Sequence, residues 1–593
     1  MLIMKKLIDM ITSEVTQAFV NHGYEEKFGS VSFSNRPDLC QFQCNGALAA
    51  AKQYKKAPIM IANEVVEDLK DNSLFGEVTA IMPGFINIKV SSEKLAAYVD
   101  EMARTEKFGI ESEGANKKIV VDYGGPNVAK PLHVGHLRSA IIGESIKRIQ
   151  RYVGNEVIGD VHLGDWGLQM GLIITEFKER NPESIYFDET FEGEYPKEAP
   201  FTIGELEEIY PTASGKSKVD EEFRKKALQA TYDLQNGNRG YQALWEHILN
   251  VSVTDLKKNY EKLDVTFDLW KKESDAQPYI PGMVEYLKEH GYAEYSEGAL
   301  VVDVKKEDDT KEIPPCIVLK SDGSSLYATT DLATIVERVE LFNPDIITYV
   351  VDKRQELHFE QVFRTVRKAK LADDKVQLNF LGFGTMNGKD GKPFKTREGG
   401  TMRLEVLIRQ IADAVYDKIM ENREMEETEA REIARIVGLA ALKYADLSNQ
   451  ASKDYIFDVD RFTSFEGNTG PYILYTIVRI KSIISKYMDM KNVSSLDKVA
   501  LLPALNASET DLMLEVTKFS NMIATVAAEN APHKICQYIY DLANAFNRFY
   551  HENKIIGCED EARRASWISL ISTVSDVLTT CIDLLGFKAP DRM

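Results

Sequence analysis

A strand, loop, helix and strand over residues 118–158, apolar runs at 299–302, 346–351 and 378–380, and helical patterning from about residue 404 predict a multidomain α/β chain. Its centre is a doubly wound parallel sheet split by an insertion, between an α+β N-terminal domain and an all-helical C-terminal one. The 593 residues leave room for about three to five domains with sizeable cores. Hydrophobic residues make up 44% and charged residues 28%, with 19 Pro and 36 Gly, which excludes collagen-like, low-complexity and wholly disordered classes.

Residues 1–112 mix helical periodicity (Leu7, Ile8, Ile11, Val15, Phe19) with an alternating strand at 85–90 after a Pro83-Gly84 turn, hence the α+β reading. The polar stretch 111–114 suits a linker. The strand at 118–122 then runs into a Gly124-Gly125-Pro126 loop. From Leu137 a helix puts Ile141, Ile142, Ile149 and Val153 on its apolar side, Gly154 stops it, and 156–158 resumes extended. That is one βαβ unit, so the sheet is parallel. The central domain is expected over 113–403 with its insertion at about 185–300, followed by a helical connecting region over 404–465 and a helical domain over 466–593.

The net charge of -20 argues against a uniformly basic coat for nucleic acid, but charge is uneven. Residues 187–222 hold eleven acids and three bases; residues 130–153 hold Lys130, Arg138, Lys147, Arg148 and Arg151 against Glu144 alone. An RNA-binding face there stays open. The six cysteines form no CxxC pair and no zinc spacing, so neither a disulfide framework nor a structural metal is expected. Asp9 and Glu14 break the apolar N-terminus, and no run of about 18 apolar residues exists, so the expectation is a cytoplasmic chain without a membrane partner.

The chemistry concentrates in the loop between the first strand and helix: Pro126, Asn127, Val128, Ala129, Lys130, Pro131, Leu132, His133, Val134, Gly135 and His136. Ligands of doubly wound sheets bind at the carboxyl ends of the strands, and a helix N-terminus there offers N–H groups to an anion. His133 and His136 share one side of the helix start, Gly135 lets a ligand approach, and Lys130 adds charge. A polyphosphate fits such a place. A capped helix with two surface histidines is the competing reading, less favoured because only nine histidines exist and these two fall beside Lys130 and a Gly-Gly-Pro loop.

Residues 122–139, DYGGPNVAKPLHVGHLRS, resemble the signature of class I aminoacyl-tRNA synthetases, and among them the arginyl-tRNA synthetases, at sixteen of eighteen positions. Gly124 and Gly125 replace the usual Ser-Ser and lose two hydroxyls. Further resemblances are the GDWG element at 164–167, the L-Y-x-T-x-D segment at 326–331, the Q-x-L-H element at 355–358 and the EGNTGPY run at 466–472. Together they touch essentially the whole chain.

The resemblance implies a Rossmann-type catalytic domain, an N-terminal tRNA-binding domain and a C-terminal anticodon-binding domain. It implies that L-arginine and ATP form arginyl-adenylate and pyrophosphate, and that arginine then passes to the 3′-terminal adenosine of tRNA(Arg), with magnesium accompanying ATP and a monomer as the family expectation. Carried over by position, the loop 126–136 and Lys395 bind ATP; Lys130, His133, His136, Lys392 and Lys395 are catalytic; Asp122, Asn127, His133, Tyr327, Asp331 and Gln355 bind arginine. The family's second signature, a Lys-Met-Ser-Lys-Ser loop, is here Lys395-Thr396-Arg397-Glu398-Gly399 without its lysine pair, and Lys130 is the compensating charge the resemblance suggests.

A guanidinium calls for a carboxylate in fork geometry. Asp122 and Asp331 both qualify, although Asp331 can also be a helix N-cap and Asp122 a plain strand end. The helix with Tyr538, Tyr540, Phe546, Arg548, Phe549 and Tyr550 interleaves aromatics with a base, as core packing or RNA stacking would. A cysteinyl enzyme would need a Cys/His zinc cluster, an inactive RNA-binding paralogue would not need His133, His136, Lys130 and Asp331, and a small nucleotidyltransferase would leave the helical C-terminal third unexplained.

Overall fold

The computed structural model describes residues 4–110, 116–130, 132–392, 402–422 and 425–593. Near the N-terminus, four antiparallel strands pair in the order Val31–Phe33, Phe42–Cys44, Phe85–Val90, Phe75–Ile81. The alternation read at 85–90 holds, with Ile86, Ile88 and Val90 buried. Helices Leu7–Asn21 and Pro58–Leu69 cover that face with Ile11, Val15, Phe19, Ile61 and Val65. Phe108 meets Phe519 of the C-terminal helices edge-on at 5.2 Å, so the domain docks against the bundle.

The central sheet has five parallel strands: β1 (Lys118–Tyr123), β2 (Glu156–Leu163), β3 (Leu269–Lys272), β4 (Ile346–Asp352) and β5 (Gln377–Phe383). Their spatial order is β5-β4-β1-β2-β3, so the winding reverses between β1 and β4 and opens a crevice at their carboxyl ends. Helix α1 (Val134–Tyr152) is the crossover from β1 to β2. Helices Ile203–Val219, Glu221–Gln235 and Arg239–Lys262 form the insertion before β3.

One strand expected in this sheet belongs elsewhere. Ala299–Val302 pairs antiparallel with Glu294–Ser296 and Cys316–Leu319 in a separate three-stranded sheet, and Leu269–Lys272 takes the outer place beside β2. The cause is local: Glu297 and Gly298 have φ of 49° and 85°, and a two-residue turn with both φ positive folds a chain straight back on itself.

Helix α2 (Tyr327–Phe342) leads into β4, and helix α3 (Glu427–Leu447) begins the C-terminal packing, continued by Gly470–Lys491, Ala507–Thr517, Phe519–Glu529, His533–Glu552 and Glu561–Leu584. The last is long and apolar enough to cross a membrane; here 78% of its apolar window is packed inside the protein.

The basic stretch 130–153 is largely internal. Arg138 Nε reaches Asp446 of α3 at 3.0 Å, Lys147 Nζ reaches Glu144 at 2.8 Å, Arg148 bonds Glu144 and Asp583, and Arg151 bonds Asp268. Arg138 and Arg148 join the central domain to the helical bundle and Lys147 and Arg151 are answered within it, so these four bases do not form the RNA face left open by sequence. Removing one partner of the fully buried Arg138–Asp446 pair would cost roughly 3–5 kcal/mol.

Candidate active site

The loop from β1 to α1 lies at the switch point, as its sequence position requires. Gly124 has φ of 72°, and a Cβ on Gly125 would collide with the His162 carbonyl, so this loop has no room for Ser at the second position. The missing hydroxyls are supplied from elsewhere. Ser139 Oγ accepts the Gly124 N–H at 2.8 Å and donates to the Val350 carbonyl at 2.7 Å, while the Tyr260 hydroxyl donates to the Gly124 carbonyl.

The start of α1 closes on itself. The His133 N–H donates to His136 Nδ1 at 3.2 Å and the Gly135 N–H donates to His133 Nδ1 at 3.0 Å. The Val134 N–H goes to the Met402 carbonyl and the His136 N–H to the His133 carbonyl. The helix start therefore offers no free N–H at residues 133–136, contrary to the sequence expectation, because the two rings take two of them and backbone carbonyls the other two. Gly135 serves the ring packing too, since a Cβ there would fall 2.7 Å from the His133 ring.

Those bonds fix the tautomers. Each Nδ1 accepts from a backbone N–H, so each neutral ring carries its proton on Nε2 and is a donor there. The rings lie 3.8 Å apart. Burial and the Lys130 charge hold His133 below its ordinary value; burial, His133 and Lys130 lower His136 to about 3. Both imidazoles are thus uncharged donors near neutral pH.

Among the other loop residues, Val128, Ala129, Leu132 and Val134 are buried, so only their backbone could meet ATP. Even there, the Val128 N–H goes to the Gly164 carbonyl and the Ala129 N–H to Ser252 Oγ. Pro126 is buried and Asn127 half-buried, bridged to Gly164. Lys130 lies over the Tyr210 ring of the insertion at 4.5 Å. Lys392 is exposed, its N–H on Asp390. Pro131 and Lys395 lie outside the described residues. The chain re-emerges at 402–404 beside the first signature, where Arg403 bridges His133 and the Leu404 N–H reaches the Leu132 carbonyl. Residues 402–404 therefore lie against the first signature.

A second group of side chains gathers around the start of α2, where the Asp331 charge acts on the Tyr327 hydroxyl. Asp331 sits in the second turn of α2, whose start is capped by Thr329, so the N-cap alternative falls; its Oδ2 meets His358 Nε2 at 2.5 Å. Tyr327 is 71% exposed at the head of the same helix, and Gln355 is exposed at the end of β4. Asp122 meets Arg338 of α2, a partner that sequence reading did not supply.

Sequence reading also missed Glu273. Burial, with the carboxylates of Asp165 and Asp331 nearby, raises it to about 7, and its field reaches Tyr327. Asp165, in the GDWG element, positions it by accepting the Ser274 N–H at 2.9 Å and hydroxyl at 2.6 Å. The available signal was weak, an acid immediately after the short strand Leu269–Lys272, half of which is lysine.

The C-terminal aromatic helix divides into two faces. Tyr538, Phe546 and Phe549 are core, whereas Tyr472, Asn544, Asn547 and Arg479 form a hydrogen-bonded polar face, with Arg479 over Tyr475 and Tyr550.

Family comparison agrees with this architecture. The model "tRNA synthetases class I (R), catalytic domain" matches residues 99–459, the DALR anticodon binding domain matches 473–593 and the arginyl tRNA synthetase N terminal domain matches 5–90. The arginine–tRNA ligase of Agathobacter rectalis is 62% identical over 597 residues, and that of Alkaliphilus oremlandii 59% over 590, with all of each chain covered. The fold matches arginyl-tRNA synthetase from Plasmodium falciparum at a TM-score of 0.81 and 24% identity over 100% of both chains. It matches the Thermus thermophilus enzyme at 0.76 and 20% identity, over 99% of this chain and all of that one. With the double-imidazole signature at the switch point and full-length relatives at this identity, the chain belongs to the arginyl-tRNA synthetase family of class I tRNA synthetases.

Proposed function

We propose that the chain is an arginine–tRNA ligase whose α-phosphate chemistry is carried by Lys130, His133 and His136 and whose arginine pocket is lined by Asp122, Asn127, Tyr327, Asp331, Gln355 and, beyond the sequence reading, Glu273. The supporting observations are two neutral Nε2–H donors at the switch point and a cluster in which the Asp331 and Glu273 carboxylates act on each other and on Tyr327. The arginine carboxylate attacks the α-phosphate of ATP and pyrophosphate leaves. The terminal adenosine hydroxyl of tRNA(Arg) then attacks the adenylate carbonyl and AMP leaves. No protein nucleophile is needed. The imidazoles donate to phosphate oxygens without changing charge, and Lys130, with Lys392 and Lys395, supplies positive charge around the in-line displacement.

Magnesium enters with ATP. Among the described residues, Asp122, Asp160 and His162 come close enough together to hold a metal, but Arg338 Nη2 stands 2.6 Å from both carboxylates, so a second cation does not fit. The phosphates are the natural ligands of the ion. The N-terminal 112 residues and the helices beyond 466 are read as tRNA-binding, the polar face around Arg479 as the anticodon side, and the chain as a cytoplasmic monomer; its six unpaired cysteines suit a reducing compartment.

ATP–pyrophosphate exchange with each of the twenty amino acids, with and without tRNA, tests the assignment. Exchange with arginine alone is expected. Exchange with another amino acid would overturn the pocket, and no exchange from folded protein would favour an RNA-binding paralogue.

A further inference from the structure

Asp122 and Asp160 stand directly opposite each other on adjacent parallel strands, so both carboxylates face the same side of the sheet. Like charges in that register repel. Arg338 lies between them. It follows Asp331 by seven residues on α2, two turns along the same helix face, so the helix that brings Asp331 to the pocket also brings a guanidinium beneath it. Nη2 donates to Asp122 Oδ2 and to Asp160 Oδ2, each at 2.6 Å, with the guanidinium 5.3 Å from the Tyr349 ring centre and the residue 1% exposed.

The arrangement is asymmetric. The Asp160 side chain is 2% exposed, and burial raises its carboxyl above the ordinary range. The Asp122 side chain keeps 13% of its surface at the crevice, and its Oδ1 has no protein partner among the described residues. Asp160 Oδ1 and Arg338 Nε and Nη1 also lack partners, but they are buried, whereas Asp122 Oδ1 belongs to the one side chain of the three that keeps surface at the crevice. A cation beneath a pocket for a cationic substrate is also an odd choice unless it balances surplus negative charge.

We infer that Arg338 is a positioning residue for arginine recognition: it offsets the Asp160 charge and holds Asp122 by Oδ2, so that Oδ1 alone turns to the amino-acid substrate. The inference rests on the reading of Asp122 as an arginine ligand. It locates part of the pocket's selectivity in a side chain that never touches the substrate.

The test uses the full-length protein, tRNA-dependent ATP–pyrophosphate exchange and thermal unfolding. Arg338→Met is expected to raise KM for arginine about tenfold or more while KM for ATP stays within about twofold, a split that general damage to the fold would not give. Adding Asp160→Asn removes the charge that Arg338 offsets, and the Arg338→Met/Asp160→Asn double variant should return KM for arginine to within about threefold of wild type. A double variant as impaired as Arg338→Met, or KM for arginine and ATP rising together, overturns the inference. If Arg338→Met does not fold, the double variant decides alone, by the same threefold limit for support. Asp122→Asn separates the premises: an unchanged KM for arginine overturns the Asp122 reading and the inference with it. A raised KM beside an unrescued double variant overturns the role of Arg338 only.

Discussion

On the proposed amino-acid side of the crevice two carboxylates already hold partners within the chain, Asp122 on Arg338 and Asp331 on His358, whereas on the proposed phosphate side the two imidazoles are held neutral and positive charge is left to Lys130 over Tyr210. The carboxylate side rests on a strand end and the face of a helix. The other side rests on a loop and a helix start whose N–H groups are taken up by the two rings and by backbone carbonyls. On that proposal, the difference teaches that arginine would be selected by charge, through carboxylates that exchange or share an internal partner for the substrate, and the triphosphate met by uncharged donors supplemented by lysine. Asp122 and Asp331 are thus compensated, whereas Glu273, buried with the Asp165 and Asp331 carboxylates nearby, limits the cost by holding its proton up to about pH 7.

If the comparison holds, the largest separation between the sides comes from Asp331→Asn. Losing this charged partner should cost roughly 2–5 kcal/mol of arginine binding, at least about 30-fold in KM for arginine, with KM for ATP nearly unchanged in steady-state exchange. A matched rise in both constants would break it. His136→Ala probes the other side. It should lower kcat for exchange by roughly 10²-fold through loss of one donor to the reacting phosphate, with KM for arginine little altered.

Glu273 sharpens the carboxylate side through pH. Its free-state value of about 7 lies above that of an unfolded carboxyl, and a bound guanidinium favours the ionised form, so arginine binding releases a proton when pH is below that value. KM for arginine should be about tenfold higher at pH 6 than at pH 8, and Glu273→Gln should flatten the profile; the check is KM across pH together with calorimetry in buffers of different ionisation enthalpy. The smallest effect is Tyr210→Leu, which removes a cation–π contact worth about 0.5–1 kcal/mol and should lower kcat/KM for ATP by two- to fivefold.

Local pattern made much of this legible. The βαβ unit at 118–158, the helices at 134–152 and 427–447 and the order of signatures are written in period and spacing. The third sheet strand was not, because Leu269–Lys272 is four residues long and half-buried throughout, without the continuous apolar run that marks a central strand. Arg338 and Glu273 escaped for a related reason: their roles depend on which distant side chains they meet. Arg338 did leave a trace, a charged residue sharing the buried stripe of α2 with Leu332 and Ile335. The basic stretch 130–153 misled because composition registers charge and not the acids at 264, 268, 446 and 583 that answer it.

The claim that separates the two sides most directly is that His136 is a neutral Nε2–H donor in the free protein. Following its ring nitrogens by ¹⁵N NMR from pH 5 to 8.5, with His136→Asn to assign the signal, would test it. The account predicts an unprotonated Nδ1, a protonated Nε2 and no titration across that range. A midpoint between pH 6 and 7, or the opposite tautomer, would contradict it and return His136 to the role of a cationic phosphate ligand.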